Sequence, residues 1–167
     1  MKKEQAQIHE FMAKAAQTTP DRPTMPDMIV RVGRLKWIAE ELCELANAYG
    51  LEIDVNNSGG NTNNFMAEPF KRPVFTEGSR LALVEAYDAV LDLLVFAVGT
   101  GVAMGTDLEP GWEEVHRSNM SKFGPGGFKR SDGKWIKPPN WEPPDISAII
   151  DTQLEAAKAK DKQLLLE

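Results

Sequence analysis

This sequence predicts a single all-α domain of four to six helices, spanning residues 1–167 and carrying an irregular basic loop near its C-terminus. Three observations predict it. Apolar residues recur at three- and four-residue spacing over long segments, strand-like alternation is nearly absent, and Pro, Gly and Asn punctuate the intervals. At 167 residues the chain is long enough to bury a core without staples. Its hydrophobic fraction of 42% and charged fraction of 26% are those of an ordinary globular protein.

The first helix is expected over residues 5–17, ending before the proline-punctuated "TTPDRPTMPD". Asp27 is the expected N-cap of a second helix over 27–49, whose apolar stripe is Leu35, Ile38, Leu42, Leu45, Ala46 and Tyr49, with Gly50 as its stop. An Asn/Gly-rich loop follows. Thr76 or Ser79 then caps a third helix over 79–104, stopped by Gly105. A fourth helix is expected over 110–122, with Pro110 in its first turn. "GPGGFKRSDGKWIKPPNWEPPD" reads as irregular or hairpin-like, and a last helix follows Asp145 over 146–165. That helix runs into three leucines, which suit packing on a neighbour or a second subunit.

Composition excludes several functions. A net charge of -6 argues against nucleic acid as a partner. One cysteine, Cys43, leaves no internal disulfide and fits a reducing compartment such as the cytoplasm. "MKKEQAQIHEF" reaches no apolar run, so no secretory leader is expected. The stretch Leu81–Val98 is as long as a membrane span, but it carries three carboxylates. Each costs about 2.5–3.5 kcal/mol near a span's centre, so a buried soluble helix is expected and no membrane partner.

Those three acids are the chemistry-bearing feature. Fourteen of the eighteen residues in "LALVEAYDAVLDLLVFAV" are hydrophobes, yet Glu85, Asp88 and Asp92 lie among them with no Lys or Arg. At about 100° per residue they fall on one face. A helix apolar all round is expected to be buried all round, and a buried carboxylate needs a proton, a base or a metal. The second helix holds Glu40, Glu41 and Glu44 in "WIAEELCEL". By itself that cluster reads either as a solvated face or as a partner for the acid row, and Trp37 on the same side favours the partner. Six oxygen ligands suit Mg²⁺ or Mn²⁺; Zn²⁺ would want His or Cys. Cys43, His9 and His116 do not approach metal-ligand spacing, and Cys43 reads as a buried small residue.

From Arg117 to Lys137 the chain carries Arg117, Lys122, Lys129, Arg130, Lys134 and Lys137 against Asp132 alone, a net +5 that leaves -11 elsewhere. This is either an anion clamp or a solvated basic loop. Beside a carboxylate cluster, the clamp fits polyphosphate chemistry. Divalent ions bridge phosphate oxygens and lower the pKa of an attacking water, while lysines offset charge on the leaving group. No Walker A loop is present.

"EELCE" (Glu40 to Glu44) followed by "EAYD" (Glu85 to Asp88) resembles the EExxE and ExxD motifs of the all-α nucleoside triphosphate pyrophosphohydrolases. That superfamily includes MazG, dimeric dUTPases and phosphoribosyl-ATP pyrophosphohydrolase. The tail "SNMSKFGPGGFKRSDGKWIKPPNWEPPD" is similar to that of the MazG-like branch, and the likeness runs from about Phe11 to Ile146. The resemblance implies a helical bundle that hydrolyses a nucleoside triphosphate to a monophosphate and pyrophosphate. It implies Mg²⁺, replaceable by Mn²⁺, held by Glu40, Glu41, Glu44, Glu85 and Asp88, with Glu41 and Glu44 as the catalytic glutamates. In the superfamily the tail and first helix close over the nucleotide, often across a subunit interface, so a homodimer or homotetramer is implied. Asn119, Lys122 and Lys137 are the candidates for the phosphates, and Phe11 and Trp37 for the base. Asp92 lies outside the motif, as either a partner of the metal-holding acids or a structural residue.

Phage enzymes of this kind, including the MazZ type, act on dGTP and GTP, which gives the substrate expectation here. Phosphoribosyl-ATP, dUTP and dCTP are the alternatives within the superfamily. The Asn-rich loop Asn56–Asn64 is either a purine-reading loop or a surface insertion. The implied setting is bacterial or phage-infected cytoplasm. Two readings from other classes compete. A non-catalytic helical interaction protein requires an exposed third helix, which the composition argues against. A carboxylate di-iron protein requires Glu-x-x-His pairs, which the acid clusters lack.

Overall fold

The computed structural model describes residues 1–53, 67–69, 79–131 and 135–166. Their elements, in chain order, are α1 (Lys2–Lys14), α2 (Met28–Ala48), β1 (Leu51–Ile53), β2 (Ala67–Pro69), α3 (Arg80–Ala103), α4 (Leu108–Ser121), β3 (Phe128–Lys129), β4 (Trp135–Ile136) and α5 (Ile146–Leu164). Five helices with only two short ribbons make the architecture all-α, as the sequence predicts. Among the described residues, no helix is long and apolar enough to cross a membrane.

Local chemistry sets most helix ends. Asp27, Asp107 and Asp145 cap α2, α4 and α5 by accepting from the backbone N–H groups of Val30, Glu109 and Ala148. Ser79 caps α3, its hydroxyl accepting from the Ala82 N–H at 3.1 Å. Gly50 and Gly105 follow α2 and α3 with φ of 72° and 64°. The first helix ends earlier than expected, at Lys14. Ala16 takes a left-handed φ of 54°, so that its N–H donates to Ala13 O and that of Gln17 to Met12 O. That pair of bonds is a Schellman closure built on alanine where glycine is usual. At the other end α1 starts at Lys2, since nothing in "KKE" breaks a helix.

Two antiparallel ribbons complete the list. β1 pairs with β2, Leu51 opposite Pro69, a ribbon the sequence reading did not anticipate. β3 pairs with β4, Phe128 opposite Ile136, where a hairpin-like segment was expected. Thr76, the Asn-rich loop Asn56–Asn64, Asp132 and Lys134 lie outside the described residues.

By internal contacts the chain divides into two compact units, Met1–Met25 with Gly101–Glu167, and Pro26–Thr100. The first unit is knitted by side chains that reach across sequence. Gln5 donates to Thr106 O at 2.6 Å and accepts from the Leu108 N–H at 3.0 Å. Gln153 accepts from the Asp107 N–H and donates to Asp107 O, each at 2.9 Å. Arg22 forks onto Asp161 at 2.6 and 2.9 Å. Trp141 donates to Ser118 O, and Ser118 to Glu142 O, pinning the tail to α4. Met12, Val102 and Ala103 are buried at the centre. A Cβ on Gly105 would overlap the Arg22 carbonyl oxygen. The three C-terminal leucines, Leu164 to Leu166, are exposed.

The second unit contains α2, the β1–β2 ribbon and α3 as far as Thr100. Among the described residues its buried apolar side chains are small: Ala46, Ala48, Ala86, Ala89 and Val98. This corrects the expectation that α3 is buried all round. Leu81, Leu83, Val84, Tyr87, Val90, Leu91 and Leu94 are exposed, Leu83 by 71%. The stripe on α2 is also only partly covered, with Leu35 and Tyr49 exposed beside Ile29 and Val32. With small residues buried and large ones open, much of the apolar surface of α2 and α3 stays uncovered.

Candidate functional site

The six acids singled out in the sequence all lie in the second unit. α2 and α3 meet where the Trp37 and Phe96 rings stack, centroids 5.6 Å apart and inclined by 26°. One turn on from Trp37 along α2 stands Glu41. One turn back from Phe96 along α3 stands Asp92. A further turn reaches Glu44 on one helix and Asp88 on the other, so at this contact the helices run antiparallel with their acid rows in step.

Charge and burial agree with that register. Burial pushes the Glu41 carboxyl above its usual range, and the negative charges of Glu44, Asp92, Glu40 and Asp88, in that order, push it further. Glu41 is half-buried, and its Oε2 is shut off from solvent without a hydrogen-bond partner among the described residues. Asp92 is half-buried too, whereas Glu40, Glu44, Glu85 and Asp88 are exposed. Glu85 sits a turn beyond Asp88, at the outer end of the row.

The donor set is oxygen-only, the preference of a hard divalent cation, and Glu41 Oε2 is a buried acceptor with nothing to accept from. Those two facts fit a Mg²⁺-class ion. Among the described residues, however, no three His, Cys, Asp or Glu side chains stand close enough together to hold one. The acids feel one another's charge while four of the six point to solvent.

Trp37 is committed to structure on its ring. It stacks on Phe96, and the buried Arg34 guanidinium lies 5.3 Å from the ring centroid. Cys43 is half-buried, short of the full burial expected for it. His9 and His116 are exposed in the first unit.

The other candidates belong to the first unit. Phe11 is exposed on α1. Lys122 Nζ donates to Asn119 Oδ1 at 2.7 Å, joining two of the expected phosphate contacts in one pair at the end of α4. Lys137 Nζ lies 3.4 Å above the Trp141 ring. Phe123 and Trp135 meet edge to face at 4.8 Å and brace the β3–β4 ribbon from which Lys129 projects. Sequence reading missed Phe96, whose signal was its position one turn after Asp92. It also left Asp92 unplaced, because Asp92 falls outside the ExxD motif.

Comparison with known families gives one finding. Residues 6–119 match the model of the family described as phosphoribosyl-ATP pyrophosphohydrolase. The match takes in both acid rows and stops short of Lys122 and the basic tail. No curated protein sequence matches the chain significantly. With the matched region covering most of the chain and containing both acid motifs, the chain belongs to the phosphoribosyl-ATP pyrophosphohydrolase family, within the MazG-like all-α superfamily, and is a nucleotide pyrophosphohydrolase.

Proposed function

We propose that this enzyme is a Mg²⁺-dependent nucleoside triphosphate pyrophosphohydrolase that converts a (d)NTP, with dGTP and GTP preferred, to the (d)NMP and pyrophosphate. The observation that carries the reading is Glu41. On a helix within the family match, its partnerless buried oxygen stands among the charges of four further acids and no base.

Glu40, Glu41, Glu44, Glu85 and Asp88 are the residues that would hold Mg²⁺, with Mn²⁺ as a substitute. The ion supplies Lewis-acid neutralisation of phosphate charge and eases deprotonation of water. Glu41 and Glu44 orient the water, and the half-buried setting of Glu41 keeps its carboxylate in one place. The Lys122–Asn119 pair and Lys137 bind phosphate oxygens, where an ammonium held by a neighbour loses less freedom on binding. Phe11, exposed on α1, is the better of the two base contacts, since the Trp37 ring already faces Phe96 and Arg34. Trp37 instead walls the acid row.

A second reading is favoured by the family match itself, namely phosphoribosyl-ATP as substrate, cleaved by the same hydrolysis. The two share their chemistry and differ in what lies beyond the phosphates. One experiment separates them. Incubate the protein with each NTP, each dNTP and phosphoribosyl-ATP in Mg²⁺ or Mn²⁺, and identify products by mass. Monophosphate plus pyrophosphate from dGTP supports the first reading. Turnover of phosphoribosyl-ATP alone transfers the assignment to the second. Release of inorganic phosphate with a diphosphate, or no turnover at all, sinks both.

The assembly is proposed as a homodimer or homotetramer acting in the cytoplasm of a bacterial or phage-infected cell. Support comes from the open apolar faces of α2 and α3, where Ile29, Leu35, Leu83 and Leu94 are exposed. Light scattering after gel filtration checks it, and a monomer at micromolar concentration removes it.

A further inference from the structure

We propose that Phe123 and Trp135 form a stacking platform for the base of a nucleoside phosphate, with Lys129 contacting a phosphate oxygen. The platform lies within the first unit. It rests on the nucleotide-hydrolysis reading above and adds a base contact beyond Phe11 and Trp37. Three observations carry it. The first is open aromatic surface. Phe123 and Trp135 meet at 4.8 Å with their planes 88° apart. An edge-to-face pair uses one face of one ring and only an edge of the other, so ring faces remain free. Phe123 is 53% and Trp135 38% exposed.

The second is that the fold fixes the chain around these rings. The Gly127 N–H donates to Gly124 O at 3.0 Å, and a Cβ on Gly127 would overlap Lys122 O. Gly126 turns with a φ of 87°, and Pro138 is buried. Trp141 Nε1 donates to Ser118 O at 2.9 Å, tying the far end to α4. Rings left open on so fixed a backbone lose little freedom when a flat ligand lands on them.

The third is charge. Between residues 115 and 141 Asp132 is the only acid, against six lysines and arginines. The ribbon register sets Lys129 directly opposite Trp135, and cross-strand partners share a face, so the ammonium flanks the indole. Lys129 is exposed, and among the described residues no hydrogen bond or ion pair engages it. Arg117, by contrast, is held by Glu114, and Lys137 lies over Trp141. Lys122, fixed by Asn119, directly precedes Phe123. A ligand matched to this surface is flat and aromatic at one end and anionic at the other, as a nucleoside phosphate is. Phe11 has no such cation beside it, because Lys14, one turn on, is paired with Glu10 at 2.6 Å. Every base has a stacking face, so the platform contributes affinity and leaves the choice of base to other contacts.

The test uses the full chain in Mg²⁺ and isothermal titration calorimetry. The probes are the uncleavable α,β-imido analogues of dGTP and ATP, with pyrophosphate as the probe that has no base. In Trp135→Leu and Phe123→Leu, affinity for both analogues is expected to fall about tenfold or more, with pyrophosphate affinity kept within about twofold. Trp135→Phe, which restores a ring, retains most of the analogue affinity. Lys129→Gln weakens the analogues and pyrophosphate alike. A second measurement does not depend on how the leucine variants fold. In wild type labelled with 5-fluorotryptophan, the Trp135 fluorine signal, assigned with Trp135→Phe, shifts with the analogues and not with pyrophosphate. Wild-type analogue affinity in both leucine variants, or an unmoved Trp135 signal, overturns the inference. If wild type hydrolyses nucleotide under either of those results, this inference alone has failed. If the analogues bind and shift Trp135 but no nucleotide is hydrolysed, the proposed function falls and the platform stands. If no analogue binds and no nucleotide is hydrolysed, both fall.

Discussion

The two units of this chain treat polar groups in opposite ways. In the first, Gln5 and Gln153 each satisfy two backbone groups, Arg22 is forked onto Asp161, and Ser118 both donates and accepts within the tail. In the second, the charges that act on Glu41 are those of four other acids, and Glu41 Oε2 has no hydrogen-bond partner among the described residues. The same contrast holds for apolar surface, since α3 leaves seven large hydrophobes open before Phe96. The first unit is closed on itself, and the acids that the proposed reaction would use lie among the open groups of the second.

The largest effect that would sharpen the contrast is on turnover. Glu41→Gln is expected to lower kcat by about 10²–10⁴ while raising the metal-free melting point slightly. The stabilisation, a few tenths of a kcal/mol or about 1 °C, comes from removing like charge. Steady-state kinetics and a thermal melt check the two halves; a lower melting point would mean that Glu41 is structural.

Gly105→Ala tests the opposite unit. Positive φ and overlap with Arg22 O leave no room for a methyl, so a loss of about 3 kcal/mol, or roughly 10 °C, is expected by calorimetry. Gln5→Ala removes two bonds that tie α1 to the start of α4 and should cost about 1–2 kcal/mol in urea unfolding. Its Mn²⁺ affinity should match wild type, because the lesion lies in the scaffold. Ala16→Gly should stabilise by about 1 kcal/mol, relieving a left-handed alanine without touching either contact of the Schellman closure.

The smallest expected effect is one of pH. The Arg117 guanidinium and the Asp145 N–H hold the Glu114 carboxyl down at about 2, below its ordinary 4.5. A depressed carboxyl stabilises the fold fully above 4.5 and loses that contribution as pH falls toward 2. The melting-point gap between wild type and Glu114→Gln should close over that interval. A gap that stays constant would show that the pair contributes nothing.

Helices and caps were legible because they are local. Asp27 and Asp145 announce themselves as short polar residues ahead of periodic segments, and Gly50 and Gly105 as left-handed stops. Ala16 was not legible, since a left-handed alanine carries no signal in its side chain. Nor was the β1–β2 ribbon, whose partners are separated by residues 54–66 and whose three-residue strands are too short to show alternation. In the site, the two acid rows could be read from helical spacing, but their relative level could not. That level depends on Trp37 meeting Phe96, a contact between residues 59 positions apart.

The alanines of the second unit carry one more consequence. Methyl groups are the smallest side chains a helix can present, and Ala46, Ala48, Ala86 and Ala89 occupy the buried positions of α2 and α3. Burying a methyl takes far less apolar surface out of water than burying a leucine or phenylalanine side chain, so these positions contribute little cohesion to their unit. A unit held so lightly opens locally at a lower cost than one closed around large side chains.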